Sequence, residues 1–263
     1  MTVDGRSANV VVDHVHLEYP ATTGGEPLVA IADLSLTIAG GEFVAIIGPS
    51  GCGKSSLLYL INGIAKPTSG SIVVDGAAVM RPSPDRALVF QDAALLPWRS
   101  VLANVAVGLQ IQGRGKLERE RTASELVKLV GLEGFETKLP HQLSGGMKQR
   151  VGIARALCVD PEVLLMDEPF GALDAQTRQL MGVELLRIWQ QRRKTVIFVT
   201  HDIDEAVFLA DRVVVMSRRP SRVIEEVRID LPRPRALDLE NTAEFRAYRQ
   251  QIWDVLKSQV SAA

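Results

Sequence analysis

The sequence predicts an α/β fold: a mostly parallel sheet with helices, an N-terminal antiparallel β subdomain and an inserted α-helical subdomain. Three observations carry that expectation. First, the apolar run Phe43-Val-Ala-Ile-Ile47 leads into Gly48-Pro-Ser-Gly-Cys-Gly-Lys54-Ser55-Ser56 and then into Leu57-Leu-Tyr-Leu-Ile61. That is the strand–glycine loop–helix order of a phosphate cradle. Second, strands dominate up to Gln91, whereas helical spacing takes over from Asp92 to about Asp160. Third, strands alternate with helices after Pro161, the pattern of a parallel core.

Each element follows from its residues. Residues 10–19 alternate as a half-buried strand does. Residues 20–27 hold Pro and Gly and read as a loop, residues 28–38 as a second strand, and Gly40-Gly41 as the turn into Phe43. Ser71-Ile-Val-Val-Asp75-Gly76 is a strand ending in an Asp-Gly hairpin signal. Residues 86–91 form another strand, after the breakers Pro82 and Pro84. In the insert, residues 117–130 are amphipathic and stop at Gly131, and a second helix covers about 145–157. Val163-Leu-Leu-Met166 runs into Asp167-Glu168 as a buried parallel strand would. A helix over 175–191, a strand over 195–200 and a short helix over 203–210 follow. Asp204 and Glu205 sit in the first turn of that short helix, where its dipole favours them. Late strands at 213–216 and 223–229 flank Arg218-Arg-Pro-Ser. Pro232 and Pro234 break the chain, and Asn241-x-x-Glu244 resembles a capping box opening a helix to about residue 260. The expected organisation is one domain, 1–263. It has the core with its β subdomain over 1–91 and 159–232, a helical subdomain over 92–158 and a helical extension over 233–263.

Bulk properties narrow the function. Hydrophobic residues make up 46% of the 263, enough to fill a core. Lys+Arg number 30 against 31 Asp+Glu, without the basic excess of a dedicated nucleic-acid binder. No apolar run approaches the ~18 residues of a membrane span, and the first nine residues lack a signal-peptide core. A soluble, cytoplasmic chain is expected. Cys52 and Cys158 form neither a disulfide framework nor a metal spacing. Cys52 lies inside the glycine loop, as a reactive thiol or as a small space-filler.

The loop glycines let the backbone turn and aim N–H groups inward, and the helix N-terminus adds positive charge. Lys54 would reach the β- and γ-phosphates and the Ser55 hydroxyl would bind Mg²⁺. Asp167, at a strand end, suits Mg²⁺ through water. Glu168 beside it could polarise an attacking water. His201 ends the next strand and would face the same ligand, although a lone histidine also reads as structural. Gln91 ends a strand within reach of Mg²⁺ or the water. Ser144 is a plausible N-cap, and Gly145 and Gly146 expose N–H groups as a second anion cradle or as a simple helix start.

In this order the motifs resemble the ATP-binding subunit of ABC transporters over about residues 10–230. They are the phosphate loop, a glutamine loop at Gln91, the signature Leu143-Ser-Gly-Gly-Met147, the acidic strand 163–168, Gly171-Ala-Leu-Asp174 and the switch His201. The resemblance implies a P-loop NTPase core, ATP hydrolysis and Mg²⁺. Under it Tyr19 stacks on adenine, and Gly48, Pro49, Ser50, Gly51, Cys52, Gly53, Lys54, Ser55 and Ser56 hold the phosphates. Ser55 and Gln91 ligand Mg²⁺, Asp167 binds it through water, Glu168 is the general base and His201 contacts the γ-phosphate. Ser144, Gly145 and Gly146 meet the nucleotide of a second copy, and Asp174 lies at the seam of a head-to-tail homodimer. Met147 departs from the Gln that commonly follows Ser-Gly-Gly, so a carboxamide contact is lost.

Two stretches narrow the resemblance to subunits serving nitrate, sulfonate and taurine importers. These are the segment from Gln91 through Trp98 to Asn104, and Val227-Arg-Ile-Asp-Leu-Pro-Arg-Pro-Arg235. Implied partners are an integral membrane permease, met through Leu95, Leu96, Pro97 and Trp98, and indirectly an extracytoplasmic solute-binding protein, with no nucleic acid. The implied location is cytoplasmic, peripheral on the inner face of the membrane. Trp98 equally fits the core of the helical subdomain. The alternative function is a soluble ABC-type ATPase acting on nucleic acid or ribosomes. Against it, Lys54 and Ser144 are only about 90 residues apart with no sustained heptads between them, and a single motif set is present. An ATP-binding module without turnover is disfavoured by the presence of both Glu168 and His201.

Overall fold

The computed structural model describes residues 7–20 and 26–261. Most of the loop expected at 20–27, and the start of the polar N-terminus, lie outside the described residues. Strands β1 (Val10–Tyr19) and β2 (Leu28–Ile38) pair antiparallel, with Val10 opposite Ile38. β3 (Phe43–Ile47) leads through the glycine loop into α1 (Lys54–Asn62). β4 (Ser69–Val74) returns beside β1, and β5 (Ala77–Ala78) completes an antiparallel sheet ordered β2-β1-β4-β5. Asp75 and Gly76 join β4 to β5 with φ of 48° and 78°, the paired left-handed residues of a tight hairpin.

After β6 (Arg86–Val89) comes the helical insert: α2 (Val101–Val105), α3 (Val107–Ile111), α4 (Lys116–Leu129) and α5 (Gly145–Cys158). The core resumes with β7 (Val163–Asp167), α6 (Ala175–Arg192), β8 (Thr195–Val199), α7 (Ile203–Leu209), β9 (Arg212–Met216) and β10 (Val223–Arg228). The second sheet is ordered β10-β9-β3-β8-β7-β6 and is parallel apart from β10. The α/β class expected from the sequence is the one observed.

Period-two side-chain alternation splits this sheet's residues between two cores. Phe43, Ala45, Leu164, Met166, Val196, Phe198, Val213 and Val215 pack on the side of the insert and of α6–α7. Val44, Ile46, Val163, Leu165, Ile197, Val199, Val214 and Met216 pack on the other side. There they meet Leu57, Leu58, Leu60 and Ile61 of α1 and the inner face of the antiparallel sheet. A helix apolar on most of its circumference is one that is buried. α1 is therefore held between two sheets, which fixes where its N-terminus stands beside β3.

The last helix, α8 (Ala243–Ser261), starts one residue later than the sequence suggests. Thr242, not Asn241, supplies the cap: its Oγ1 accepts from Phe245 N at 3.2 Å. Asn241 instead ends a short 3-10 turn (Leu237–Asn241), which displaces the cap by one position.

Candidate active site

The loop between β3 and α1 turns at Gly51 and Gly53, whose φ values are 74° and 105°. Gly48 is required for a different reason. A Cβ there would stand 2.8 Å from the Met216 carbonyl oxygen, so β9 and the loop could not approach. Gly53 caps α1 without a side-chain hydrogen bond, leaving the first-turn N–H groups for a ligand. Lys54 is only 6% exposed, and its Nζ donates to the carbonyls of Gly48 (2.8 Å) and Pro49 (3.1 Å). The ammonium therefore lies folded along the loop.

In the first turn of the helix, Ser55 Oγ donates to Asp167 Oδ1 at 2.9 Å. Asp167 is buried, and burial pushes its carboxyl above the usual range. The Glu168 charge adds to that, while the Ser55 hydrogen bond and Lys54 oppose it. A buried carboxylate beside a hydroxyl is a fit for a hard cation that takes its remaining ligands from phosphate and water. Among the described residues no cluster of three or more His, Cys, Asp or Glu could hold a metal ion by itself.

Glu168 follows β7 with φ of 43°, a left-handed conformation in a residue that is not glycine. Its N–H donates to the Val199 carbonyl at 3.0 Å, fixing it against β8. Such a conformation costs on the order of 1–3 kcal/mol, and the surrounding hydrogen bonds hold it. The result is to aim the carboxylate: Oε2 stands 3.1 Å from His201 Nδ1 and accepts from Gln91 Nε2 at 3.4 Å. Gln91 thus meets Glu168 here, and His201 is an exposed partner of the carboxylate rather than a core histidine. Tyr19 completes the rim, its hydroxyl 3.0 Å from Ser56 Oγ and the residue 40% exposed.

Together Tyr19, the loop, Gln91, Glu168 and His201 line an open cleft of about 490 Å³. Arg219, which no motif marks in the sequence, lines it as well. Ser144, Gly145 and Gly146 do not. Ser144 Oγ accepts from Met147 N at 3.3 Å, so it is the N-cap of α5, on a tip that is largely exposed. Met147 packs half-buried against the main core instead of facing solvent. A Cβ on Gly146 would come within 3.0 Å of Leu173, so this tip and the 171–174 loop are pressed together. Asp174 caps α6 by accepting from Thr177 N (3.0 Å) and Thr177 Oγ1 (2.7 Å), and these bonds hold its carboxyl below the usual range.

Two side chains decide between readings the sequence left open. Cys52 is 1% exposed and packs in the α1 core, where burial raises its thiol against the opposing charge of Lys54. It is the space-filling residue and brings only its backbone to the loop. Trp98 is 73% exposed and so is not core of the helical subdomain. Fully buried Asn104 explains why. Its Oδ1 accepts from Leu96 N (2.8 Å), and its Nδ2 donates to the carbonyls of Leu96, Arg99 and Ser100 at 2.9–3.1 Å. The loop is locked from inside, with Pro97 and Trp98 on the outer surface.

Over residues 31–171 the chain matches the family model described as ABC transporter. It is 50% identical over 222 residues to a taurine import ATP-binding protein of Pseudomonas savastanoi pv. phaseolicola, which spans 84% of both chains. It is 48% identical over 241 residues to a nitrate import ATP-binding protein of Synechococcus elongatus, covering 90% of this chain and 86% of the relative. Among solved structures, a dimeric ATP-binding cassette in a post-hydrolysis state, bound to ADP and Pi, aligns with a TM-score of 0.77. That alignment has 34% identity and covers 85% of this chain and 100% of the cassette.

Proposed function

The chain belongs to the ABC transporter family as an ATP-binding, ATP-hydrolysing subunit, and from that premise we propose that it energises uptake of a small anion of the nitrate, sulfonate or taurine type. The observation that carries the mechanism is the division of the motifs. One cleft gathers Lys54, Ser55 with Asp167 buried behind its hydroxyl, and the Glu168–His201 pair, while Ser144, Gly145 and Gly146 stand on a largely exposed tip outside it.

In this reading Lys54 and the α1 amides neutralise the β- and γ-phosphates, and Tyr19 stacks on the base. Ser55 and Asp167 would hold Mg²⁺, with Gln91 close by; when bound, the ion neutralises charge on the phosphate oxygens. Glu168 takes a proton from a water as the water oxygen adds to the γ-phosphorus and the bond to the β-phosphate oxygen breaks. His201 keeps the carboxylate in place and faces the γ-phosphate. The Ser144 tip completes the site of a second copy in a head-to-tail pair, with Asp174 at the seam. ATP becomes part of that interface, and loss of the γ-phosphate loosens it. The solved cassette being a dimer with ADP and Pi supports this assembly.

Among the described residues no helix is long and apolar enough to cross a membrane, so permease subunits would supply the pore and an extracytoplasmic binding protein the cargo. The chain would work from the cytoplasmic face. Trp98 and Pro97, presented outward by Asn104, fit an apolar contact with the permease. A nucleic-acid- or ribosome-directed ATPase is not favoured, given the import proteins among the relatives and the balanced charge.

Lys54→Ala tests the site. Removing the buried ammonium should weaken ATP binding about 10- to 150-fold, given ~1.5–3 kcal/mol for a charged hydrogen bond. A titration giving the wild-type affinity would contradict the assignment. Trp98→Ala tests the surface: transport by the reassembled importer should fall at least several-fold while ATPase of the isolated subunit persists. Parallel loss of both would assign Trp98 to structure instead.

A further inference from the structure

We propose that the hairpin joining β9 to β10 is a third wall of the nucleotide site, and that Arg219 on it binds a phosphate of the nucleotide held by the same chain's glycine loop. This rests on the nucleotide reading of the cleft. The hairpin is anchored where it matters. Ser221 is fully buried; its N–H and Oγ donate to the Ala30 carbonyl at 3.1 and 3.0 Å, and its own carbonyl accepts from Ala32 N at 3.0 Å. Ser217 and Arg222 close the turn through Ser217 N to Arg222 O (2.9 Å) and Arg222 N to Ser217 Oγ (3.0 Å). The turn is therefore stitched to both sheets at once.

It also touches the phosphate loop at two points. A Cβ on Gly53 would lie 3.4 Å from Ser221 Oγ, and a Cβ on Gly51 would lie 3.4 Å from Arg219 Nη2. The guanidinium thus hangs over the loop, inside the cleft lining, and its charge reaches Cys52 beneath. Elsewhere in the core Arg212 pairs with Glu42 and Glu226, Arg233 with Asp211 and Arg178 with Asp202. Arg219 has no hydrogen-bond or ion-pair partner among the described residues. A free planar fork beside open backbone N–H groups is a phosphate ligand in waiting, since Arg binds phosphate oxygens bidentately. Lys54 supplies a point charge from within the loop; Arg219 supplies a second cation from a separate element.

The test is titration of the full-length protein with ATP, by displacement of a fluorescent ATP analogue, at low and moderate salt. Arg219→Ala should raise the Kd about tenfold and flatten its salt dependence, and Arg219→Glu should raise it further. Arg218→Ala, the same charge loss one residue away, should stay within about twofold. Thermal unfolding of the apo proteins should be unchanged. Wild-type affinity in Arg219→Ala, alongside weakened binding in Lys54→Ala, overturns the role of Arg219 and leaves the cleft assignment standing. Wild-type affinity in both overturns the cleft assignment itself. Equal losses in Arg218→Ala and Arg219→Ala would reduce the effect to net charge and also overturn the proposal.

Discussion

Glu168→Gln should bind ATP with wild-type affinity, turn it over about 10²–10⁴-fold more slowly, and run as a dimer in ATP and magnesium. The rate figure is what a positioned general base contributes. The substitution isolates that contribution because little else changes. Gln has nearly the same shape, leaves the backbone N–H to Val199 in place, and keeps an oxygen for His201, 3.1 Å away, and Gln91, 3.4 Å away. An amide cannot accept the proton of an attacking water at neutral pH. With hydrolysis blocked, the γ-phosphate persists and so does the interface it bridges. Phosphate release and size-exclusion chromatography read the two halves separately. Wild-type turnover would remove Glu168 as the base, whereas slow turnover in a strictly monomeric protein would remove the two-copy closure.

Legibility of the site and fold followed the range of the interactions involved. The glycine loop, the Asp75-Gly76 hairpin and helices α4, α5 and α6 were readable to within a residue or so, because short-range rules set them: φ requirements, amphipathic spacing and caps. α2 and α3 were not, since five residues give no period; Ser100 capping Ala103 N and buried Asn104 hold that region. The exposure of Trp98 and the burial of Cys52 both depended on what packs behind them, which spacing does not reveal. Arg219 was invisible for the same reason. Its meaning comes from Ser221 crossing to Ala30, a contact spanning 191 positions of sequence. Asn241 was misread because a 3-10 turn uses it before the helix begins.

A buried cation in the tail sets the second large effect. Arg235 is 5% exposed, and its Nη1 donates to the carbonyls of Val207, Phe208 and Ala210 at 2.8–3.0 Å, with Nη2 reaching Ile229 at 3.3 Å. The first three are the free carbonyls at the end of α7, where a positive charge is favoured. Burial lowers the guanidinium to about 10, with Arg233 adding to the effect, yet it remains protonated at neutral pH. Arg233 pairs with Asp211 and stacks 4.4 Å over Trp189, while Phe245 and Ile252 of α8 are buried in the main core. The tail therefore acts as packing, bracing the helix that follows His201. Arg235→Met fills the space but leaves those carbonyls buried without donors, at a cost of about 3 kcal/mol. For a chain of this size that lowers the thermal midpoint by roughly 6–12 °C. Arg235→Lys keeps the charge but loses the fork, and should fall between the two. A midpoint unchanged in Arg235→Met would mean that the carbonyls are satisfied without it, and that the extension is not what holds α7.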